Sequence, residues 1–219
     1  MALRKAFEME LSELHNDLLR MGSIVEKQIH LCIKSLAEKD EELADEVIKN
    51  DDIVDDLMRE IENKSIKLIA RQQPIATDLR FIFTCINIVT DLERMADHAV
   101  DIAKITKILK NQEYIKELVD IPKMSEIVSA MIKDGLDAYV ERNLDKAYEV
   151  SKRDDDVDEL YKKVFGEMIE LMGKNNTKIE QATQFMFICK FLERIADHVT
   201  NICEWTIYII TGKQVDLNE

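Results

Sequence analysis

Two stretches, Leu92-Glu93-Arg94-Met95-Ala96-Asp97-His98 and Leu192-Glu193-Arg194-Ile195-Ala196-Asp197-His198, decide how this chain folds. Each sets Glu-x-x-x-Asp inside an apolar helical pattern, and a further polar residue follows one turn on, Asp101 in the first and Asn201 in the second. On an α-helix residues i, i+4 and i+8 climb one face in steps of about 6 Å. Glu93, Asp97 and Asp101 therefore form a ladder of like charges, which repels itself unless solvent or a cation compensates it.

The heptapeptide is the visible part of a longer repeat. A shift of 103 residues lays Met21 on Met124, Ile24-Val25 on Ile127-Val128, Ile29 on Ile132, Glu46-Val47 on Glu149-Val150 and Asp51-Asp52 on Asp154-Asp155. Beyond about Gln73 the shift is 100, which brings Glu93, Arg94, Asp97, His98 and Ile102 onto Glu193, Arg194, Asp197, His198 and Ile202. A three-residue deletion at one connection explains the change, and agreement sustained over most of each half marks a tandem duplication.

Glycine and proline number only 5 and 2, the charged fraction is 34%, and 46% of the 219 residues are hydrophobic. That composition favours long helices over sheet and is enough for a sizeable core. Apolar residues at Ile24, Val25, Ile29, Leu31, Cys32 and Leu36 keep helical spacing up to Lys39. Asp40 and Asn143 stand where N-caps belong, Pro74 fits the first position of a third helix, and Thr177-x-x-Glu180 fits a capping box. Boundaries at about residues 40, 75, 113, 143 and 177 predict an all-α protein. It is a tandem repeat of two antiparallel three-helix bundles, six long helices in all, with residues 1–112 and 113–219 as the repeats, packed as one unit.

A second acidic pair lies on the middle helix of each half, Asp51 with Asp55 and Asp154 with Asp158. Antiparallel neighbours face each other at equal distances from their turn. Asp55 and Glu93 are both 19 residues from Pro74, and Asp51 and Asp97 are both 23 from it. In the second half, Asp158 with Glu193 and Asp154 with Asp197 share a midpoint between Asn175 and Asn176. Each repeat would thus gather four or five oxygen donors, a set suited to Mg²⁺, Ca²⁺, Mn²⁺, iron or Zn²⁺, with room to bridge more than one ion. Two readings compete with this one: the acidic face is simply solvated, or Arg94 and Arg194 neutralise carboxylates on other helices. His98 and His198 lie just off the ladder and fit packing histidines bonded to a carboxylate better than ligands. The ferritin-like Glu-x-x-His spacing is missing, since each histidine follows its Glu by five positions.

A formal charge of −14 argues against nucleic acid, whose binding needs clustered Lys and Arg. Cys32, Cys85, Cys189 and Cys203 lie singly in helical patterns, as buried small side chains in a reducing cytoplasm would. The longest uncharged stretches, such as residues 81–90, are too short to span a bilayer, so membrane contact would come only through a partner. Neither a phosphate-cradling glycine loop nor a Ser/His/Asp arrangement suggests catalysis. The enzymatic alternative is a carboxylate-bridged multinuclear metallohydrolase or phosphoesterase.

The duplicated Glu-Arg-x-x-Asp-His segments, each with its upstream acidic pair, resemble the PhoU family of regulators of phosphate uptake over nearly the whole chain. The resemblance implies a non-enzymatic, cytoplasmic, typically homodimeric regulator that acts negatively. Its implied partners are the ATPase of the phosphate-specific ABC transporter and a sensor histidine kinase. It also implies iron or zinc, multinuclear in character, with one cluster per repeat: on Asp51, Asp55, Glu93, Asp97 and Asp101, and on Asp154, Asp158, Glu193, Asp197 and Asn201. Ala96 and Ala196 stand where the family often has glycine, which suits a helix, and Asp101 stands where it often has asparagine, so the first site carries one more anionic oxygen.

Overall fold

A computed structural model describes residues 2–72, 74–174 and 176–218. The helices are α1 (Ala2–Glu38), α2 (Glu41–Gln72), α3 (Ala76–Leu109), α4 (Asp120–Glu141), α5 (Leu144–Ser151), α6 (Asp154–Lys174) and α7 (Ile179–Thr211), with a 3₁₀ turn over Asn176–Lys178. No strand occurs among the described residues. The first three helices pack on one another, the last four do the same, and α3 joins the two groups by packing along α7 while α1 touches α4. Contacts between α3 and α7 run in opposite chain directions: His98 meets Phe191 and His198, Asp91 meets Asn201 and Trp205, and Phe83 meets Tyr208. The duplicated helices thus pair antiparallel at the centre of the molecule.

The predicted caps are in place. Asp40 Oδ1 accepts the backbone N–H groups of Glu42 (2.9 Å) and Leu43 (3.1 Å), and Asn143 Oδ1 accepts that of Lys146 (3.1 Å). Because α5 is only 8 residues long, Asn143 holds a large share of its end groups. Asn143→Ala is expected to cost about 1 kcal/mol by chemical denaturation, and Asn143→Asp to cost much less. Equal losses from the two variants would show that the cap bond is not what matters there.

Three local expectations are corrected. Pro74 lies two residues ahead of Ala76, and Ile75 takes the cap position with no side-chain bond, so the proline ends the connection rather than starting the helix. Thr177 falls within the 3₁₀ turn and Lys178 takes the cap position of α7, so the helix begins one residue later than the capping-box spacing places it. The expected single helix from about 143 to 177 breaks at Lys152-Arg153 into α5 and α6. Here the carbonyl of Arg153 accepts from Asp156 (3.1 Å) and Val157 (3.4 Å), and its guanidinium donates to Asp134 of α4 at 2.6 Å. The break puts Asp154, Asp155 and Asp156 in a first turn, where three adjacent carboxylates are favoured by the helix dipole. The second-repeat midpoint lies between Asn175 and Asn176, of which Asn175 is outside the described residues, as is Gln73 at the end of the middle helix of the first repeat.

The core is one continuous apolar cluster that includes Leu14, Leu18, Met21 and Ile29 of α1, Ile88, Leu92 and Met95 of α3, and Phe185, Ile188 and Leu192 of α7. Residues 110–119 cross between the repeats without helix and are held by named bonds. Tyr114 donates its hydroxyl to the Leu36 carbonyl (2.6 Å), and buried Gln181 accepts the Ile115 N–H (2.6 Å) while donating to the Glu113 carbonyl (3.0 Å). No helix of the described residues is long and apolar enough to cross a membrane.

Candidate functional site

The acidic pairs face each other as the matched heights require. In the first repeat burial raises the Asp51 carboxyl to about 6, with the charges of Asp97 and Asp55 adding to it. Glu93 is pushed up by burial and by Asp97, Asp55 and Asp51, against the opposing pull of Arg94. In the second repeat burial, then Asp197, Asp158 and Glu193, raise Asp154 to about 7, and Asp197 is raised by burial and Glu193. Groups on α2 and α3, and on α6 and α7, therefore sit in one another's fields, which is what a shared face means physically.

Two carboxylate oxygens on these faces, Glu93 Oε2 and Asp154 Oδ1, are buried with no hydrogen-bond partner. Glu93 Oε2 lies 3.3 Å from Arg94 Nε without bonding geometry. An unsatisfied buried anion is costly, and a cation is the natural complement for oxygens of this type. The donor set thus fits a hard or borderline metal ion. The side chains nevertheless do not form a finished cage: among the described residues no three Asp, Glu, His or Cys side chains converge in a metal-holding group.

Surface cations hold the outer members instead. Arg94 reaches Asp97 (3.1 Å), Lys104 reaches Asp101 (3.1 Å) and Arg59 reaches Asp55 (3.1 Å). In the second repeat Arg194 reaches Asp197 (3.3 Å), Lys162 reaches Asp158 (3.1 Å), and Lys190 bonds both oxygens of Glu193 (2.6 Å). The two motif arginines neutralise the Asp of their own helix, three residues on, and lie within 4 Å of the Glu before them, rather than reaching a carboxylate on another helix. All but the Lys190–Glu193 pair, which is part-buried, sit at an exposed rim, where each contributes little and is easily exchanged.

Asn201 departs from its expected role. Its amide donates to Asp91 Oδ1 at 3.0 Å, across to α3, so only its carbonyl oxygen remains for a cation. Asp91 also accepts from His198 Nδ1 (2.9 Å) and Trp205 Nε1 (3.2 Å) and is 8% exposed. Three donors from α7 converge on one nearly buried carboxylate of α3, clamping the repeats together. Asp91 is not among the residues that the sequence motifs pick out. The available signal was the repeat itself, because Asp91 aligns with Phe191 at an otherwise apolar position.

The repeats solve this contact differently. Where His198 is bonded to Asp91, His98 stacks on Phe191 with ring centroids 5.5 Å apart and keeps a buried, unbonded Nδ1. Burial lowers the pKa of His98, with the charge of His198 acting in the same direction. The expectation of a packing histidine bonded to a carboxylate thus holds for His198 and not for His98. All four cysteines are free and buried, with burial pushing the Cys85, Cys189 and Cys203 thiols up to about 12. They are unreactive packing groups at neutral pH.

Comparison with known proteins places the fold in a family. The PhoU domain model matches twice, over residues 18–106 and 121–206. The chain is 60% identical over 217 residues to a phosphate-specific transport system accessory protein PhoU homolog of Clostridium acetobutylicum, covering 99% of both chains. It is 38% identical to the homolog of the same name from Caulobacter vibrioides, covering 96% of this chain and 92% of that protein. Among solved structures it resembles the phosphate transport system regulatory protein PhoU of Streptococcus pneumoniae, with a TM-score of 0.90 and 33% identity over 96% of this chain and 99% of that one. PhoU of Pseudomonas aeruginosa gives a TM-score of 0.91 and 33% identity, covering 94% and 100%. Two matched domains in tandem, full-length relatives and a shared fold agree: the chain belongs to the PhoU family.

Proposed function

We propose that this chain is a negative regulator of phosphate uptake and phosphate-starvation signalling, working as a homodimer in the cytoplasm without catalysing a reaction itself. Its partners in this reading are the ATPase of the phosphate-specific ABC transporter and a sensor histidine kinase. The observation that carries it is the end-to-end match, at 60% identity, to a phosphate-specific transport system accessory protein. A net charge of −14 suits docking onto basic protein surfaces, and two helical repeats clamped through Asp91 give a stiff scaffold for it.

The acidic faces are the metal-binding part of the proposal, with iron or zinc as the ions and carboxylates enough to bridge more than one per face. Asp51, Asp55, Glu93, Asp97 and Asp101 would hold one cluster, and Asp154, Asp158, Glu193, Asp197 and the Asn201 carbonyl the other. Once bound, the cations supply positive charge that offsets the carboxylate repulsion. To admit them, Arg94, Lys104, Arg59, Arg194 and Lys162 turn away from their carboxylates, a small cost at an exposed rim, while Lys190 gives up a part-buried pair with Glu193, a larger one. Glu93 and Asp154, with their orphaned oxygens, anchor the two sites.

Tagged chain, captured from cells grown in abundant phosphate, should bring down the transporter ATPase and a histidine kinase. Recovery of neither, in the presence of a known intact transporter, contradicts the partner assignment. Turnover of a phosphoester by metal-loaded protein, lost in Glu93→Gln, would instead favour the hydrolase reading.

A further inference from the structure

Arg142 and Lys39 occupy equivalent places in the duplication, one residue past the first helix of each repeat, and both take left-handed backbone angles, φ 50° and 56°. What differs is the fate of their charges. The Lys39 ammonium donates to the Gln112 carbonyl at 2.6 Å and lies 4.3 Å from the centre of the Tyr114 ring, so the linker between the repeats covers it with one oxygen and one aromatic ring. After α7 the chain goes elsewhere, and the Leu217 N–H donates to Glu204 at 2.7 Å. Among the described residues the Arg142 guanidinium makes no hydrogen bond or ion pair.

Beside Arg142 lies a cavity of about 320 Å³, at the lower end of the size range of small-molecule sites. Leu11 of α1, Phe81 of α3, Val140 of α4 and Ile209 of α7 form its apolar walls. Its polar groups include three that can donate, the Ser12 and Thr77 hydroxyls and the His15 imidazole. Burial, then the charge of Arg142, hold the His15 pKa below the usual imidazole value, so the ring is neutral at pH 7. His15 Nδ1 is 3.4 Å from the buried Tyr139 hydroxyl, which is 3.2 Å from Cys85 Sγ. In the proton order in which Cys85 donates to Tyr139 and Tyr139 donates to His15 Nδ1, the N–H stays on Nε2 and is the donor the imidazole offers to an occupant. The one carboxylate in the wall, Asp78, is already taken by Arg4 through bonds of 2.7 and 3.1 Å. The cavity is therefore locally cationic in an acidic protein.

We infer that this cavity binds a small aryl oxyanion, a single-ring aromatic carboxylate or phosphate ester. Its anionic head pairs with Arg142 and His15, and its ring lies against Leu11, Phe81, Val140 and Ile209. The first repeat shows the kind of group that suits the equivalent cation, an oxygen acceptor together with an aromatic face, and arginine at this position adds a fork suited to carboxylate or phosphate.

Isothermal titration of the full chain with phenyl phosphate and with benzoate tests this, with benzyl alcohol and inorganic phosphate as probes that carry only the ring or only the charge. At least one aryl oxyanion should bind 1:1 and roughly tenfold or more tighter than either half-probe. Arg142→Asn keeps a residue that tolerates the left-handed backbone and should weaken binding by roughly tenfold or more, whereas Lys39→Asn should leave it unchanged. Val140→Glu, which puts a negative charge into the wall, should also abolish binding while the melting curve stays cooperative. No saturable binding of either aryl probe at millimolar concentration, equal binding of inorganic phosphate, or undiminished binding by Arg142→Asn would each overturn the inference.

Discussion

Asp91→Ala is expected to lower stability by about 3 kcal/mol, because it strands three donors of α7 at a nearly buried position. For a chain of this size that corresponds to a fall of roughly 6 to 12 °C in Tm. Asp91→Asn keeps an acceptor and should lose less. Asp91→Phe imports the solution the other repeat uses, a ring against the histidine, yet leaves Asn201 and Trp205 without their acceptor, so it should fall between the two. Thermal and urea melts measure all three. A loss below about 1 kcal/mol for Asp91→Ala would mean that water satisfies the donors and that the apolar surface between α3 and α7 alone joins the repeats.

The second large effect concerns the acidic faces. The Asp51 and Asp154 carboxyls, at about 6 and about 7, lie above the ordinary carboxylate value that the unfolded chain would show. A group raised on folding stabilises the fold at pH below its unfolded value, and that stabilisation is lost as pH rises through the folded one. Without metal, Tm should therefore fall between pH 5 and pH 8. Saturating Zn²⁺ or Mn²⁺ at pH 7.5 should reverse the fall, by about 2.7 kcal/mol when free ion exceeds its Kd about a hundredfold, and a chelator should remove the gain. Asp154→Asn separates repulsion from unrelated effects. It should raise the Tm of metal-free protein at pH 8 and reduce the gain from added metal, two shifts of opposite sign from one substitution. A pH-independent Tm together with no response to either ion would contradict the reading of these faces as cation sites.

Local rules of helix geometry made a good part of this legible in the sequence. The duplication, the caps at Asp40 and Asn143, and the equal heights of Asp51/Asp55 with Glu93/Asp97 need only the helical rise, side-chain chemistry and distance from a turn. Those features reappear in the structure as cap bonds and as Asp51, Glu93 and Asp154 carboxyls raised by burial and by acidic neighbours across the helix pair. The helix break at Lys152-Arg153 was not legible, because it depends on Arg153 finding Asp134 on another helix. Pro74 and Thr177 carry sound start signals, but each connection is long enough for the helix to begin one or two residues later. Asp91 went unmarked and Asn201 was assigned to the acidic ladder for a further reason: they belong to different repeats, and only the packing of α3 on α7 turns them toward each other. Contacts between the repeats leave no periodic trace in either one.

The regulatory role itself is tested most directly by phosphate uptake in cells from which this chain has been deleted, measured while phosphate is abundant. Uptake should rise above that of the parent and return to the parental rate when the intact chain is restored. Restoration of the Glu93→Gln, Asp154→Asn double variant should return it only in part, since those residues anchor the two acidic faces. Unchanged uptake on deletion, with the transporter present and active, would contradict the proposed function.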